Sequence, residues 1–318
     1  MSLKRITIGF SSHHTEVLPF MRWQMERHRT IILEEPPSAL FPDMLDGLIT
    51  IEDYLMETDS QFPQFDRQMC EVIREMHHHG KQILQIEPYL EKLIQIHELL
   101  TAGGTKDEVK AIPGLTEVYE AESMASGALS NFYSTSMGAA FVDVVTAVKT
   151  FAKADAKRLS LREDLRARAI ASMAGSSDSI FVEAGYIHYP LYLYLRRELG
   201  SHRMVKVVYP MQGAVRGLGG KRRNMGPGDI LTLHYALGHN PPESLSDLLP
   251  ARSLIYIKMI EKEELLPGSS PTPHCEDEVR INRIVDNLSL DDCAILFDRI
   301  RRMSNREARA AVGLQLDS

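Results

Sequence analysis

Six side chains able to bind a metal or move a proton stand where apolar runs stop. Ile6-Thr7-Ile8-Gly9-Phe10 breaks into Ser11-Ser12-His13-His14, and Thr30-Ile31-Ile32-Leu33 breaks into Glu34-Glu35-Pro36-Pro37. Gln82-Ile83-Leu84-Gln85-Ile86 stops at Glu87-Pro88. Ser179-Ile180-Phe181-Val182 runs into Glu183-Ala184-Gly185-Tyr186-Ile187-His188. Imidazole and carboxylate are donors for a divalent metal. They are equally the groups of metal-free general acid–base hydrolysis. In an open α/β sheet the strand C-termini lie along one edge, where ligands and chemistry collect. His13, His14, Glu34, Glu87, Glu183 and His188 can therefore converge although they are far apart in the chain. Among them His14, Glu34, Glu183 and His188 form the candidate metal set. Each residue alone also has a plain structural role, the histidines as helix caps and the glutamates before proline as turn residues. The shared position singles them out.

The elements that must position these groups follow from periodicity. Residues 3–10 read as a strand, and 16–29 as a helix with Val17, Phe20, Met21 and Gln24 at helical spacing. Strand signals recur at 30–33, at 46–51 and at 82–86. A helix over 62–79 carries the stripe Phe65, Met69, Val72, Ile73 and Met76 and ends at Gly80. Leu90, Leu93, Ile94 and Leu100 mark the next helix. This alternation predicts an α/β fold: a central, mostly parallel or mixed sheet flanked by helices. Residues from about 101 to 160, rich in Ala, Ser and Met, read as a helical insertion. Ser160 with Glu163 reads as a capping box opening a helix that runs through about Met173. On that helix Arg166 is placed to orient a carboxylate or stabilise an oxyanion. A strand at 179–183, a helix over 190–199 led by Pro190 and a strand at 204–209 complete a core of residues 1–210.

Residues 211–318 read as a loop plus a mainly helical C-terminal extension packed on that core. Arg216, Lys221, Arg222 and Arg223 lie among glycines at 210–229, the pattern of a mobile loop. It is either a solvated connector or a lid that brings Arg222 or Arg223 to an anionic substrate. It lacks the Gly-Lys-Ser/Thr ending of a phosphate-binding loop. Leu254-Ile255-Tyr256-Ile257 fits either a strand or a buried helix, 266–273 a linker, and 276–312 amphipathic helices. The triplet His77-His78-His79 falls in the last turn of a helix, where histidine suits the helix dipole. His234 with His239, and His274-Cys275-Glu276, do not complete a metal set.

Composition bounds the function. The chain has 318 residues, 44% hydrophobic and 25% charged, as expected of a soluble globular protein. A net charge of -7 argues against a general nucleic-acid surface. No apolar run approaches the ~18–20 residues of a membrane span. Cys70, Cys275 and Cys293 are too few and scattered for a disulfide framework, and the N-terminal segment reads as a strand and not as a signal peptide. A cytoplasmic protein with a small-molecule or peptide substrate, and neither nucleic-acid nor membrane partner, is the expectation. A homodimer is compatible with it.

Four motifs occur in a recognisable order: His13-His14 after an Ile-Gly strand, Ile32-Leu33-Glu34-Glu35-Pro36-Pro37, Arg166-Ala167-Arg168-Ala169-Ile170-Ala171, and Gly185-Tyr186-Ile187-His188. Over roughly residues 5–200 the chain resembles the superfamily that joins TraB-type proteins, TIKI metalloproteases, erythromycin esterases and ChaN-like haem-binding proteins. The resemblance implies His13 or His14 as the first motif histidine, Glu34 as the strand-end glutamate, Arg166 as the helix arginine and His188 as the second histidine. Gly9 stands further from its histidines than in the family, and Ile170 replaces the usual methionine. Implied with it is a hydrolase, peptidase or esterase, with or without divalent Mn, Co or Zn. Haem or another small molecule bound as in ChaN-like proteins is the alternative, with Tyr186, Tyr189, Tyr192 and Tyr194 as a possible slot.

Overall fold

The computed structural model describes residues 5–58, 60–174, 179–200, 204–220 and 224–316. The chain forms two compact units. The first comprises Met1–Leu115, Leu161–Gly213 and Glu263–Pro273, and the second Thr116–Ser160, Ala214–Lys262 and His274–Ser318.

The first unit is built on five strands: β1 (Arg5–Ser11), β2 (Thr30–Leu33), β3 (Gln82–Gln85), β4 (Ser179–Gly185) and β5 (Met204–Val208). Their order is β3-β2-β4-β1-β5 and every pairing is parallel. This is the α/β architecture expected from the alternation of elements. From β1 the chain moves out through β2 to β3. It then returns to insert β4 between β2 and β1 before adding β5 on the far side. The reversal puts the ends of β2, β4 and β1 side by side, at the kind of switch point where open α/β sheets hold ligands. Gly9 pairs with Glu183, and Ile32 with Val182. One face of the sheet packs Ile6, Ile8, Phe10, Ile180 and Val182 against Ala167, Ile170, Leu191 and Leu195 of two helices. Near-continuous apolar strands are what such two-sided burial requires.

Gly9 is fixed by packing. A Cβ there would lie 2.4 Å from Phe181 Cζ, with Met21 Sδ at 3.5 Å. Phe181 is fully buried, so its ring has little room to give. Gly9→Val should therefore destabilise the fold by about 1–3 kcal/mol through overpacking. An unchanged urea midpoint would show that the ring can move aside.

Several local expectations are corrected. Residues 46–51 form no strand: a helix over Phe41–Asp46 ends at Gly47 with φ 75°, and Thr50 caps the next helix, Ile51–Leu55, in a box with Asp53. The short β-branched run there is consumed by a turn and a cap. Ser160 caps nothing, because one helix runs unbroken over Phe141–Met173. The segment expected as a mobile loop contains a helix over Gln212–Gly217 and the start of another over Pro227–Ala236. Leu254–Ile257 lies in the helix Leu248–Met259. The expected helix over 190–199 is present as Pro190–Leu199, with Pro190 in its first turn.

The second unit is all helical among the described residues. Its core joins Val144 and Val148 to Leu254 and Ile255, and these to Ile281, Leu296 and Ile300. No described helix is long and apolar enough to cross a membrane.

Candidate functional site

The strand ends of the first unit carry a network of acids and bases. Glu34 follows β2, where Pro36 and Pro37 stop the strand. Glu183 belongs to β4, which neighbours β2. The two hold each other's backbone: Glu34 N–H donates to Glu183 Oε2 at 3.0 Å, and Gly185 N–H donates to Glu34 Oε2 at 2.8 Å. His13, in the turn after β1, closes the row with Nε2 2.9 Å from Glu183 Oε1. Its ring stacks on Phe65 at 5.4 Å between centroids. Phe65 opens the helix Pro63–His78, where Glu264 accepts from the N–H groups of Gln64 and Phe65 at 3.0 and 2.7 Å.

Behind this row lies the helix Phe141–Met173. Arg162, Glu163 and Arg166, spaced by three and four residues, share one face of it. Arg162 reaches Glu34 Oε1 at 2.9 Å and Glu87 Oε2 at 3.1 Å. Arg166 is fully buried. It donates to the carbonyls of Glu183 and Ile86 at 2.8 and 3.1 Å, and its Nη1 lies 3.5 Å from Glu34 Oε2. His188 sits in a short turn after β4. Its Nε2 lies 2.6 Å from Glu34 Oε1 and its Nδ1 contacts Glu163. Four carboxylates (Glu34, Glu87, Glu163, Glu183) thus face four cationic or titratable bases (Arg162, Arg166, His13, His188). Such pairing is what makes buried charge tolerable.

The charges set the protonation states. Burial pushes Glu34 up, but His188, Arg166 and Arg162 together hold it well below the usual carboxylate range. Burial lowers His188, yet the charges and hydrogen bonds of Glu34 and Glu163 raise it to about 9. His13 is raised in the same way to about 9: desolvation is overcome by the hydrogen bond and charge of Glu183, helped by Glu34. Its side chain is still 44% exposed, so solvent screens part of its attraction to Glu183. Burial raises Glu87.

The structure brings together His13, Glu34, Glu183 and His188, with Arg166 and Glu87 behind them, and leaves His14 apart. His14 is buried edge-on to Phe62 at 5.0 Å. Burial and the neighbouring His13 charge lower it to about 4, so it is neutral at physiological pH. The metal set expected from sequence changes accordingly. His13, Glu34 and Glu183 offer ligand atoms within 4.8 Å of one another, whereas both nitrogens of His188 are taken by carboxylates. Glu87 is fully buried against the two arginines, so it is not placed to touch a substrate. Arg222 and Arg223 lie outside the described residues. Tyr186, Tyr189, Tyr192 and Tyr194 are partly buried and pack against the core of the sheet.

Sequence reasoning missed Arg162 and misread Glu163 as a cap. The available signal was spacing: Arg162, Glu163 and Arg166 share a helical face with Ala167 and Ile170, which are buried. Charged residues on an apolar face point inward and need partners.

The chain is similar to a protein of Archaeoglobus fulgidus described as an uncharacterized protein. The two are 29% identical over 293 residues, which is 92% of this chain and 97% of that protein. No family model matches the chain, and no solved structure matches it.

Proposed function

We propose that the chain is a hydrolase of the TraB, TIKI and erythromycin-esterase type, acting on an ester or peptide bond at the edge of β1, β4 and β2. The observation that carries this reading is the convergence of His13, Glu34 and Glu183 within 4.8 Å. An imidazole and two carboxylates suit divalent Mn, Co or Zn, and the half-exposed His13 leaves one side open to a substrate. Bound there, such a cation supplies Lewis acidity and acidifies water for attack at neutral pH.

The protein's own groups do the rest. Glu34 is pinned by Gly185 N–H, His188 and two arginines, so its carboxylate is oriented before any ligand arrives. Glu183 orients the His13 ring through Nε2. His13 is the site histidine that meets solvent, so a cation held there is reached from that side. Because Nε2 both faces Glu183 and would ligate, cation uptake displaces the His13 proton. Binding should therefore tighten as pH rises toward 9.

Titration calorimetry with Mn²⁺, Co²⁺ and Zn²⁺, paired with turnover of model esters and peptides, tests the reading. His13→Ala and Glu183→Gln should each weaken cation binding by at least ~10-fold, about 1.4 kcal/mol, and abolish turnover, while His14→Ala leaves affinity in place. Equal affinity in wild type and His13→Ala would overturn the proposed ligand set. Absence of turnover with every ester and peptide tried would count against hydrolysis.

A further inference from the structure

The second unit holds a long helix, Thr116–Gly138, that is buried along one narrow line. Val118, Ala125 and Phe132, seven residues apart, are its buried side chains. Phe132 and Leu129 seat it on the helical core of that unit. A repeat of seven keeps a single line of a helix turned toward its neighbour. The rest of the helix has the wrong chemistry for a solvated face. No Asp, Glu, Lys or Arg stands between Glu122 and Asp143. Met124, Tyr133, Met137 and Val142 are 50%, 60%, 66% and 71% exposed. A face turned to water ordinarily carries charge, and clustered exposed apolar side chains mark interaction surfaces.

Gly127 is a second, independent sign. It lies well inside the helix, where glycine is a poor helix former. Its φ is not left-handed, and a Cβ there would meet nothing within 4 Å among the described residues. No contact within the chain calls for glycine at that position, whereas close approach of another backbone does. Helical spacing lines Gly127 up with Ser123, Ser130 and Ser134, opposite the buried line. This row of small residues is flanked by Met124 on one side and by Tyr133 and Met137 on the other.

We propose that this face binds the same face of a second copy of the chain, the two helices running antiparallel across a two-fold axis between Ser130 and Asn131. The exposed residues repeat about that point: Ser123 matches Gly138, Met124 matches Met137, and Gly127 matches Ser134. A two-fold interface has to be self-complementary in this way. The axis sets small residues against small residues, so the helices approach closely. The flexible methionines of each copy then fill the space beside the small row of the other. Charge fixes the direction. Glu117 and Glu120 lie near the N-terminal end of the helix, where a parallel pair would bring like charges together and an antiparallel pair keeps them at opposite ends. About 20 residues of helix present a strip about 30 Å long and 10 Å wide. With Tyr133 and Val142 closing the flanks, roughly 1,000 Å² is buried in total, the lower bound of a specific interface. The dimer is therefore of micromolar stability and not obligate. It stands independently of the hydrolase reading.

Sedimentation velocity on the full chain, from micromolar to near-millimolar concentration, tests the assignment. The wild type should pass from monomer to dimer within the series. Gly127→Leu puts a side chain on the contact line while favouring the helix. It should weaken association at least ~10-fold with unchanged circular dichroism. Direction is read by disulfide capture, since Cys70, Cys275 and Cys293 are buried. Ser130→Cys, beside the axis, should cross-link to its own copy on mild oxidation. Ser123→Cys, about 20 Å from its copy in the antiparallel pair, should not. The proposal is overturned if the wild type forms no dimer across the series, if Gly127→Leu associates as the wild type does, or if Ser123→Cys cross-links as readily as Ser130→Cys.

Discussion

Replacing Arg166 by alanine should lower the unfolding free energy by about 3–5 kcal/mol, the cost of removing one partner from a buried charge network. Arg166 has no exposed surface. Its guanidinium bridges the chain after β3, through the Ile86 carbonyl, and β4, through the Glu183 carbonyl, while lying beside Glu34 and Glu87. Alanine would leave two carbonyls and two carboxylates without that cation, in a space too closed for bulk water to replace it. Lysine keeps the charge but not the planar fork, so Arg166→Lys should fall between alanine and wild type. Activity should be lost with the fold margin, because Glu34 would lose one of the groups that orient it. Urea denaturation reads the first effect. An alanine variant within ~0.5 kcal/mol of wild type, the range of an ordinary surface change, would mean that the bridge carries no stability.

The prominence of Arg166 in the sequence and the silence of Arg162 and Glu163 have a physical reason. Arg166 belongs to a motif, whereas Glu163 three residues earlier has an equally good local meaning as a capping partner for Ser160. Only the unbroken helix Phe141–Met173 removes that alternative, and helix continuity across a possible cap is decided by tertiary packing. β1, β2 and β4 were readable because two-sided burial writes near-continuous apolar runs, and the ends of β1 to β4 were marked by His13, Glu34, Glu87 and Glu183. Strand order was not readable: the insertion of β4 between β2 and β1 is a long-range choice that no local pattern records. The choice between His13 and His14 depended on that order too. Adjacent residues point to different sides of the chain, and which side faces Glu183 is known only once β4 is placed next to β1.

Raising the pH from 7 to 8.5 should destabilise the protein, and the bridge Glu34–His188–Glu163 should be the main cause. His188 is raised to about 9 in the folded state, above the unfolded value of ~6.5. A raised histidine contributes stability that is fully present below ~6.5 and is lost as pH rises through about 9. At ~1.4 kcal/mol per pH unit of displacement, the full contribution of this one group is at most about 3 kcal/mol. Glu34 describes the same ion pair from its other side. Its lowered pKa gives stability that is present above the normal carboxylate range and lost as pH falls through the folded value, so the two contributions are not added. His13 is also raised, but its exposure hands part of that effect to solvent. Buried Cys70 and Cys293, both raised, act in the same direction only above the ordinary thiol range of ~8.5, which sets the upper limit of the window. Unfolding free energies measured at intervals across pH 7–8.5 should therefore fall in wild type and fall nearly as much in His13→Ala. A flat wild-type profile would remove the imidazolium bridge. A slope that disappears in His13→Ala would move the titrating group from the buried histidine to the exposed one.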